Sequence, residues 1–462
     1  MSNALSGDLF RAYDIRGIYP QTLTQQGARL IGQAIGSQIR EQGENAVVLA
    51  RDGRLSGPVL LEALAEGLRA SGCSVIDVGM VPTPVLYFAT HHYPETRSGV
   101  MVTGSHNPPD YNGFKIVING TTLSGQAIRD LQTRIEQRRF TRGPSERVSR
   151  DILPAYLNAL QRRHGLARPL RAVVDCGNGV AGVVAPEALM LLGVDVIPLY
   201  TQVDGTFPNH HPDPGNPENL NDLIATVARE QADLGLAFDG DGDRLGVVLA
   251  NGGIVYPDIL LMALAEDLLS RRPGARIIFD VKCTGALFEM IRAAGGEPEM
   301  WRTGHSLIKA RMKETGALLA GEMSGHIFFA ENWYGVDDAI LAAARLLGIL
   351  SRHDGDAVDY FARFPLLLTT PEINITVTEE SKFRIIEYLQ NQVDFGAGQR
   401  TVLDGIRIDY ADGWGLCRAS NTTPKLVTRY EAADQQALTR IRTRFETAIN
   451  EAIAAVGASP PL

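Results

Sequence analysis

The 462-residue chain has few cysteines, no clustered positive charge and no long apolar run. Its four cysteines, Cys73, Cys176, Cys283 and Cys417, lie more than a hundred residues apart and form no C-x-x-C pair. That spacing excludes a disulfide framework and a zinc site, and fits a reducing cytoplasm. No apolar stretch approaches the ~18 residues a membrane span needs. The start, MSNALSGDLFRAYDIRG, has no apolar core of the kind a signal peptide carries, so a soluble, untargeted protein is expected. The net charge is −9, with no run of Lys or Arg, which argues against a nucleic-acid surface or an anionic membrane patch. An anionic ligand would have to meet a local basic cluster. Apolar residues at 45% and charged residues at 21% are ordinary for a globular chain of three or four domains. Glycine is the exception: 47 residues, well above the usual ~7%, imply many tight turns or close backbone approaches.

A faint threefold repeat organises the first part of the chain. The runs VVLARD (47–52), AVVDCG (172–177) and IIFDVK (277–282) each read as a buried strand ending in aspartate. Helix-patterned residues follow at Pro58 to Ala70, Pro186 to Leu192 and Gly285 to Ala294, and Gly72, Gly193 and Gly295 stand where helices stop. Second strands follow at 74–79, 195–200 and 297–301, giving the α/β pattern with parallel pairing. A third strand in each unit then feeds a polar, glycine-bearing loop and the chain returns as another apolar strand, at 98–118, 233–249 and 316–330. Ligands in open α/β sheets bind at the carboxyl ends of strands, where all three loops fall. From Pro371 the pattern changes to an alternating EINITVT, a helical SKFRIIEYLQNQ, a hairpin-like GIRIDYADGWGLCRAS and an amphipathic run from Glu431 to Val456. Polar breaks divide the chain into α/β domains at 1–150, 151–255 and 256–364, and a smaller α+β domain at 365–462.

Four loops carry the chemistry. In Asp239-Gly-Asp241-Gly-Asp243-Arg244, three carboxylates within five residues repel one another by roughly 3 kcal/mol per pair at ~5 Å and an effective dielectric of ~20, so burial requires a cation. Oxygen ligands select Mg²⁺, Mn²⁺ or Ca²⁺. An EF-hand fails on register, because Arg244 and Ala250 stand where its turn glycine and bidentate glutamate belong. A solvated acidic turn is the plain alternative. In Thr103-Gly-Ser105-His106-Asn107-Pro108, a serine beside a histidine at a strand end suggests a nucleophile, with Lys115 returning on the next strand to assist with proton or charge. Turn-forming dipeptides alone would also explain that loop. Gly321-Glu322-Met323-Ser324-Gly325-His326 offers groups for a polyhydroxylated ligand. Arg418-Ala-Ser420-Asn421-Thr422-Thr423-Pro424 can wrap a phosphate with donors. Arg16, Lys115, Arg244, Lys282, His305 and Lys309 could supply the basic cluster. The pairs His91-His92 and His210-His211 would diverge on a strand, and FPNHHPDPGNPENL (207–220) reads as a rigid surface loop.

Taken together and in this order, the four loops resemble the signatures of the α-D-phosphohexomutase family, over essentially the whole chain. The wording TGSHNPPDYNGFK with GEMSGH resembles its bacterial bifunctional phosphomannomutase/phosphoglucomutase branch, and departs at both loops from the phosphoglucosamine mutases. The resemblance implies three similar mixed-sheet α/β domains and a smaller C-terminal α+β domain around a central cleft. It implies that Ser105 is carried as phosphoserine and that Asp239, Asp241 and Asp243, with a phosphoserine oxygen, hold one Mg²⁺. Glu322 and Ser324 would bind sugar hydroxyls. Arg418, Ser420, Asn421, Thr422 and Thr423 would hold the phosphate that is not reacting. Tyr13, Arg16, Lys282, Gly304 and His305 would line the cleft, and His106, Lys115, Arg244 and His326 would serve the transfer. The implied activity is hexose 1-phosphate to 6-phosphate isomerisation through a glucose or mannose 1,6-bisphosphate, by a cytoplasmic monomer serving carbohydrate, exopolysaccharide or lipopolysaccharide synthesis. Mobility of the C-terminal domain about residues 363–370 is expected with it. A phosphoglucosamine mutase, a metal-dependent sugar phosphatase and a non-enzymatic calcium or carbohydrate module are the competing readings.

Overall fold

The computed structural model describes residues 5–420 and 423–457, in which the chain forms four sheets. The first three share one plan. In each, a first strand (Ala46–Arg51, Leu170–Asp175, Arg276–Asp280) pairs in parallel with a second (Ser74–Met80, Val194–Leu199, Glu297–Trp301) on one side. On the other side it pairs in parallel with a third (Gly99–Val102, Leu234–Phe238, Leu319–Gly321). The strand that follows each loop (Tyr111–Ile118, Leu245–Leu249, Ile327–Phe329) returns antiparallel to the third. The helices Gly57–Ala70, Ala185–Leu191 and Ala286–Ala293 link first to second strands, and the following glycines Gly72, Gly193 and Gly295 all have positive φ. Only glycine adopts that stop without strain.

The aspartate that ends each first strand repeats a local device. One oxygen of Asp52, Asp175 and Asp280 accepts the backbone N–H two residues on, from Arg54 (3.0 Å), Gly177 (2.8 Å) and Lys282 (3.2 Å). This side-chain turn breaks the strand and opens a loop at its carboxyl end. The other oxygen crosses to a neighbouring loop: Thr103 Oγ1 at 2.7 Å, His210 Nε2 at 2.9 Å and Thr303 Oγ1 at 3.0 Å.

The helix Ala339–Arg352 reads apolar on every side and is buried from Ala339 to Ser351. It lies in a continuous core that includes Val85 and Phe88 from the first repeat, Leu189 and Leu236 from the second, and Phe279 and Leu346 from the third. The tail instead forms an antiparallel six-stranded sheet with its own core of Ile385, Leu389, Ile406, Ile441 and Phe445 beneath the helices Glu379–Asn391 and Gln435–Ala455. Glu431 belongs to the strand Lys425–Ala432, so the final helix begins later than the sequence pattern suggests, capped by Asp434. Among the described residues no helix is long and apolar enough to cross a membrane.

Two readings are corrected. His91 and His92 end a helix, Thr83–His92, where His91 stacks on Tyr334 at 4.4 Å and His92 on Phe88 at 5.6 Å. The proline-rich segment is no bare surface loop. Its Pro212 carbonyl accepts the Gly240 N–H at 3.1 Å, His210 pairs with Asp175, and Phe207 lies over the Arg54 guanidinium at 5.2 Å. Its prolines brace the acidic loop from behind.

Candidate active site

Ser105 sits at the tip of the first loop with φ 52°, a conformation that aims its side chain away from the strand axis. Its N–H donates to Thr103 Oγ1 (2.8 Å), itself held by Asp52. Its hydroxyl lies 3.2 Å from His106 Nδ1 and donates to Asp239 Oδ2 at 3.2 Å. The loop is clamped by Arg54, a fully buried residue that the sequence reading passed over. Its guanidinium donates to the carbonyls of Ser105 and Asn107 (2.6 Å each) and Tyr111 (2.9 Å), and pairs with Asp52 at 3.2 Å. Arg16 donates to the Asn107 side chain and to Asp14. A guanidinium offers five donors in a fixed plane, and carbonyls of a curled loop match that array better than any lysine would.

The acidic loop lies against this serine. Asp239, Asp241 and Asp243 are fully buried, with one oxygen of each within 4.8 Å of the others. Gly242 has φ +75°, the turn that folds the three carboxylates inward. Asp239 Oδ1 accepts the N–H groups of Asp243 (3.0 Å) and Arg244 (3.1 Å), so its other oxygen faces Ser105. Burial, then Asp243 and Asp241, push the Asp239 carboxyl well above the usual range. Lys115 Nζ bridges Asp241 (2.6 Å) and Asp243 (2.5 Å). Burial alone would lower its pKa, but these carboxylates outweigh burial and raise it. One lysine does not balance three carboxylates. Asp241 Oδ1 and Asp243 Oδ1 are buried with no hydrogen-bond partner among the described residues, as oxygens meant for a cation would be. The donor set is all oxygen, and it fits a hard divalent ion.

The third repeat closes over the acidic loop. Arg244 and His326 form an isolated antiparallel bridge, Leu245 N–H donates to the Gly325 carbonyl (3.2 Å), and Arg244 Nε–H donates to His326 Nε2 (3.1 Å). His326 stacks on His305, ring centroids 5.5 Å apart. Behind both rings lies Asp337, a second residue absent from the sequence reading, which pairs with Lys309 at 2.9 Å. Burial, then the Lys309 ammonium, depress the His305 pKa, and burial does the same to His106, so both rings are neutral. Glu322 accepts the Gly304 N–H at 2.5 Å, and Ser324 Oγ is 3.5 Å from the other Glu322 oxygen. Gly304 has φ +138° and lies against the Tyr13 ring, which any Cβ there would strike. Tyr13 O–H donates to the Thr303 carbonyl (2.7 Å).

Thr303 leads on to the tail. Its N–H donates to Asp404 Oδ2 (3.1 Å), which also accepts from Arg418 Nε (3.0 Å). Arg418 Nη2 is buried without a hydrogen-bond partner among the described residues. Ser420 Oγ accepts from Thr423 N (3.2 Å) and Thr423 Oγ1 (2.8 Å), and Lys382 Nζ holds the Ser420 carbonyl at 2.7 Å. Asn421 and Thr422 lie outside the described residues. Lys282 Nζ pairs with Glu372 at 2.7 Å. Hence Ser105, the acidic loop, Arg244 and His326 form one contact network. Glu322, Gly304, Tyr13, Asp404 and Arg418 form a second along the same side. Arg54, Asp337, Lys382 and Asp404 were illegible in the sequence because each acts through partners on other loops, strands or helices, as far as 101 residues away for Asp404; the repeated strand-end aspartate was the one available signal, since its turn partner is Arg54.

Family comparison accounts for the chain in the same four parts. Residues 7–142, 154–252 and 256–366 match phosphoglucomutase/phosphomannomutase alpha/beta/alpha domains I, II and III, and 372–448 match the C-terminal domain of that family. A phosphomannomutase/phosphoglucomutase of Pseudomonas aeruginosa is 60% identical over 441 residues, covering 96% of this chain and 95% of its own. A phosphoglucomutase of Neisseria gonorrhoeae is 50% identical over 450 residues, covering 96% and 97%. The crystal structure of a phosphoglucomutase/phosphomannomutase family protein from Burkholderia thailandensis superposes with a TM-score of 0.94 at 49% identity, covering 99% of this chain and 100% of that one. With four domain matches in order and this coverage, the chain belongs to the phosphoglucomutase/phosphomannomutase family.

Proposed function

We propose that the protein interconverts hexose 1-phosphates and hexose 6-phosphates of glucose and mannose by phosphoryl transfer through phosphoserine 105. The observation that carries this reading is the Ser105 hydroxyl set 3.2 Å from Asp239 at the mouth of a three-carboxylate loop. A phosphoserine there adds nearly two negative charges beside three carboxylates, which only a divalent cation together with Arg244 and Lys115 would balance. Asp239, Asp241 and Asp243, with one phosphoserine oxygen, would hold Mg²⁺, whose charge steadies the phosphoryl oxygens during transfer.

The protein's own groups divide the remaining work. Lys115 Nζ lies against Asp241 and Asp243, where it supplies positive charge beside the phosphoserine and is within the group of proton-transfer candidates. Neutral His106 orients the serine oxygen. His326 accepts the Arg244 Nε–H at Nε2, which fixes the ring beside the acidic loop, and His106, Lys115 and His326 are the candidates to exchange the proton of the attacking sugar hydroxyl. As the hydroxyl oxygen bonds to phosphorus, the electron pair of the breaking P–O bond passes to Ser105 Oγ. The resulting 1,6-bisphosphate turns over and returns its other phosphate to the serine, while the proton taken from the first hydroxyl goes back to the departing sugar oxygen. Glu322 and Ser324 bind sugar hydroxyls, and Tyr13, Arg16, Lys282, Gly304 and His305 shape the cleft. Arg418, Ser420, Asn421, Thr422 and Thr423 grip the phosphate that is not reacting, with Arg418 exchanging part of its Asp404 contact for the ligand. Exclusion of water protects the phosphoserine from hydrolysis. The reading includes a cytoplasmic monomer acting on small sugar phosphates, with neither nucleic acid nor membrane as partner.

³¹P NMR of the protein with Mg²⁺ and glucose 1,6-bisphosphate, given glucose 1-phosphate or mannose 1-phosphate in parallel, tests it. Conversion to the 6-phosphates is expected. Inorganic phosphate as the only product would make the protein a phosphatase, and conversion of glucosamine phosphate alone would make it a phosphoglucosamine mutase.

A further inference from the structure

At the amino ends of the parallel strands, opposite the serine, acidic and sugar loops, the second and third repeats enclose a cavity of about 500 Å³. Its place follows from the topology. The loop 163–165 precedes the strand Leu170–Asp175, the helix Pro257–Arg271 precedes Arg276–Asp280, and Glu331 follows Ile327–Phe329, which runs antiparallel to the third strand of its sheet. The end of the central helix Ala339–Arg352 supplies the remaining wall. Two contacts fix these walls against each other: Ala167 N–H donates to Ser351 Oγ (3.0 Å), and Arg168 Nη2 to the Gly355 carbonyl (3.0 Å). In a chain of net charge −9, this lining is basic. Arg163, Arg271, Arg345 and Arg352 face Asp267 and Glu331 across it. Glu331 accepts from Arg271 (2.5 Å) and Arg345 (2.9 Å), and Asp267 from Arg271 and Arg352 (2.7 Å each). Arg163 pairs with no carboxylate among the described residues; it donates to the Ala159 carbonyl (2.9 Å) and lies 5.7 Å from the Trp333 ring centroid. His164 Nε2 and Arg345 Nε are buried without a hydrogen-bond partner among the described residues. Burial, then the guanidiniums of Arg345, Arg163 and Arg271, push the His164 imidazole down to about 4, and Glu331 does not offset them. The neutral ring therefore stands in a positive field.

We propose that this cavity binds a phosphoanion, a phosphate or pyrophosphate group either free or borne by a small organic ester, at a site separate from the cleft of the four loops. Four guanidiniums against two carboxylates leave an excess of two positive charges, and a phosphoryl group carries nearly two negative charges at neutral pH. Guanidinium N–H groups meet phosphate oxygens two at a time, and each arginine has five, so the existing carboxylate pairs need not break. The cavity is larger than the anion and falls within the roughly 300–1,000 Å³ of small-molecule sites, which leaves room for an organic group. An anion beside His164 would favour its charged form and so reverse the effect of the arginines on that ring. Because the walls come from two repeats, an occupied site would also tie the second to the third and raise the temperature at which they unfold.

The test follows the His164 ring in NMR spectra of ¹³C-histidine-labelled protein, its signal assigned by its loss in His164→Gln. Inorganic pyrophosphate and adenosine diphosphate are titrated in separate arms at neutral pH, without Mg²⁺ and at ionic strength held constant with sodium chloride. Saturable movement of the His164 signal with a Kd below about 1 mM is expected in at least one arm. The tighter arm shows whether the free anion or its ester is preferred. Arg163→Ala and Arg352→Ala each remove one charge from an exposed side chain. Each should weaken binding at least about tenfold, the size of one lost charge-assisted hydrogen bond, and should shrink the rise in Tm that the probe produces. The signals of His106, His305 and His326 report separately on the cleft. A wild-type His164 signal unmoved by about 10 mM of either probe would overturn the proposal, and that result needs no variant to fold. So would movement that both arginine variants leave unchanged. Neither readout depends on turnover of sugar phosphates, so the site stands or falls apart from the proposed activity.

Discussion

The three repeats and the C-terminal domain are joined to the rest of the molecule by different forces. The repeats share a continuous apolar core, with the helix Ala339–Arg352 buried at its centre. The tail keeps a core of its own and, among the described residues, sends only Trp414 and Leu416 into the shared one. Its remaining attachment is polar. Arg407 donates to the Val281 and Cys283 carbonyls at 2.7 and 2.8 Å and stacks on Trp414 at 3.9 Å, and Glu431 accepts from Thr284 (2.8 Å), Gly285 (3.1 Å) and Trp414 (2.7 Å). Apolar burial is lost wholesale when surfaces part, whereas hydrogen bonds to carbonyls and carboxylates can be exchanged for water. On the proposed function, the difference suits a division in which the repeats hold the serine and acidic loops in fixed register, and the tail would grip a phosphate that must be released. The linking segment has Leu366 84% exposed, so little packing opposes movement there.

Four changes would break or sharpen that division. Ser105→Ala should lower turnover by at least about 10³-fold, ~4 kcal/mol of barrier, with sugar-phosphate binding by calorimetry largely retained. Retained turnover would remove the serine from the chemistry. Leu346→Ala, in the shared helix, should cost about 2–5 kcal/mol in scanning calorimetry and move the unfolding of the repeats while leaving a separate tail transition in place. A single transition moving as a whole would show that the tail is bound as tightly as the repeats are to one another. Arg418→Ala should reduce kcat/KM by roughly 10- to 100-fold, about 1.4–2.8 kcal/mol, chiefly through KM. A loss wholly in kcat would place the tail in the chemical step instead.

The smallest effect concerns the weld itself. Asp338 caps the central helix through Leu341 N–H (2.9 Å) and accepts from Tyr156 O–H (2.9 Å), a contact between the second and third repeats. Burial, against these hydrogen bonds, raises its pKa from 3.8 to about 7. Between about pH 4 and 7 the folded chain therefore keeps a proton that the unfolded chain has released, and stability should fall as pH rises through that window. Asp338→Asn keeps both hydrogen-bonding roles and should flatten the slope by up to about 1.4 kcal/mol per pH unit, read from urea midpoints. An unchanged slope would assign the pH dependence to other groups.

Much of this architecture could be read from residue order. Strand periodicity, the terminal aspartates and the helix-stopping glycines exposed the threefold repeat, because each is a local requirement of backbone geometry. The acidic loop announced a cation because three carboxylates within five residues cannot share a buried site without one. The serine loop was legible only beside the other three loops, since its dipeptides also make ordinary turns.

What the order of residues could not decide is which charges meet. Lys115 reads in the sequence as a group for charge or proton transfer, and only the fold seats its ammonium between Asp241 and Asp243. Arg54 is one arginine among many in the sequence, yet in the fold its guanidinium holds four carbonyls of the serine loop, those of Ser105, Asn107, Pro108 and Tyr111. The proline-rich segment read as surface, yet its carbonyl and rings brace both reactive loops. Asp337 gave no signal at all, because its partners Lys309, His305 and His326 come from a helix and a loop that approach it only when the third sheet closes. Local backbone demands and short-range repulsion are written into sequence. Long-range pairing of buried charge is set by the folded packing, and that pairing determines which acid, base or clamp each residue becomes.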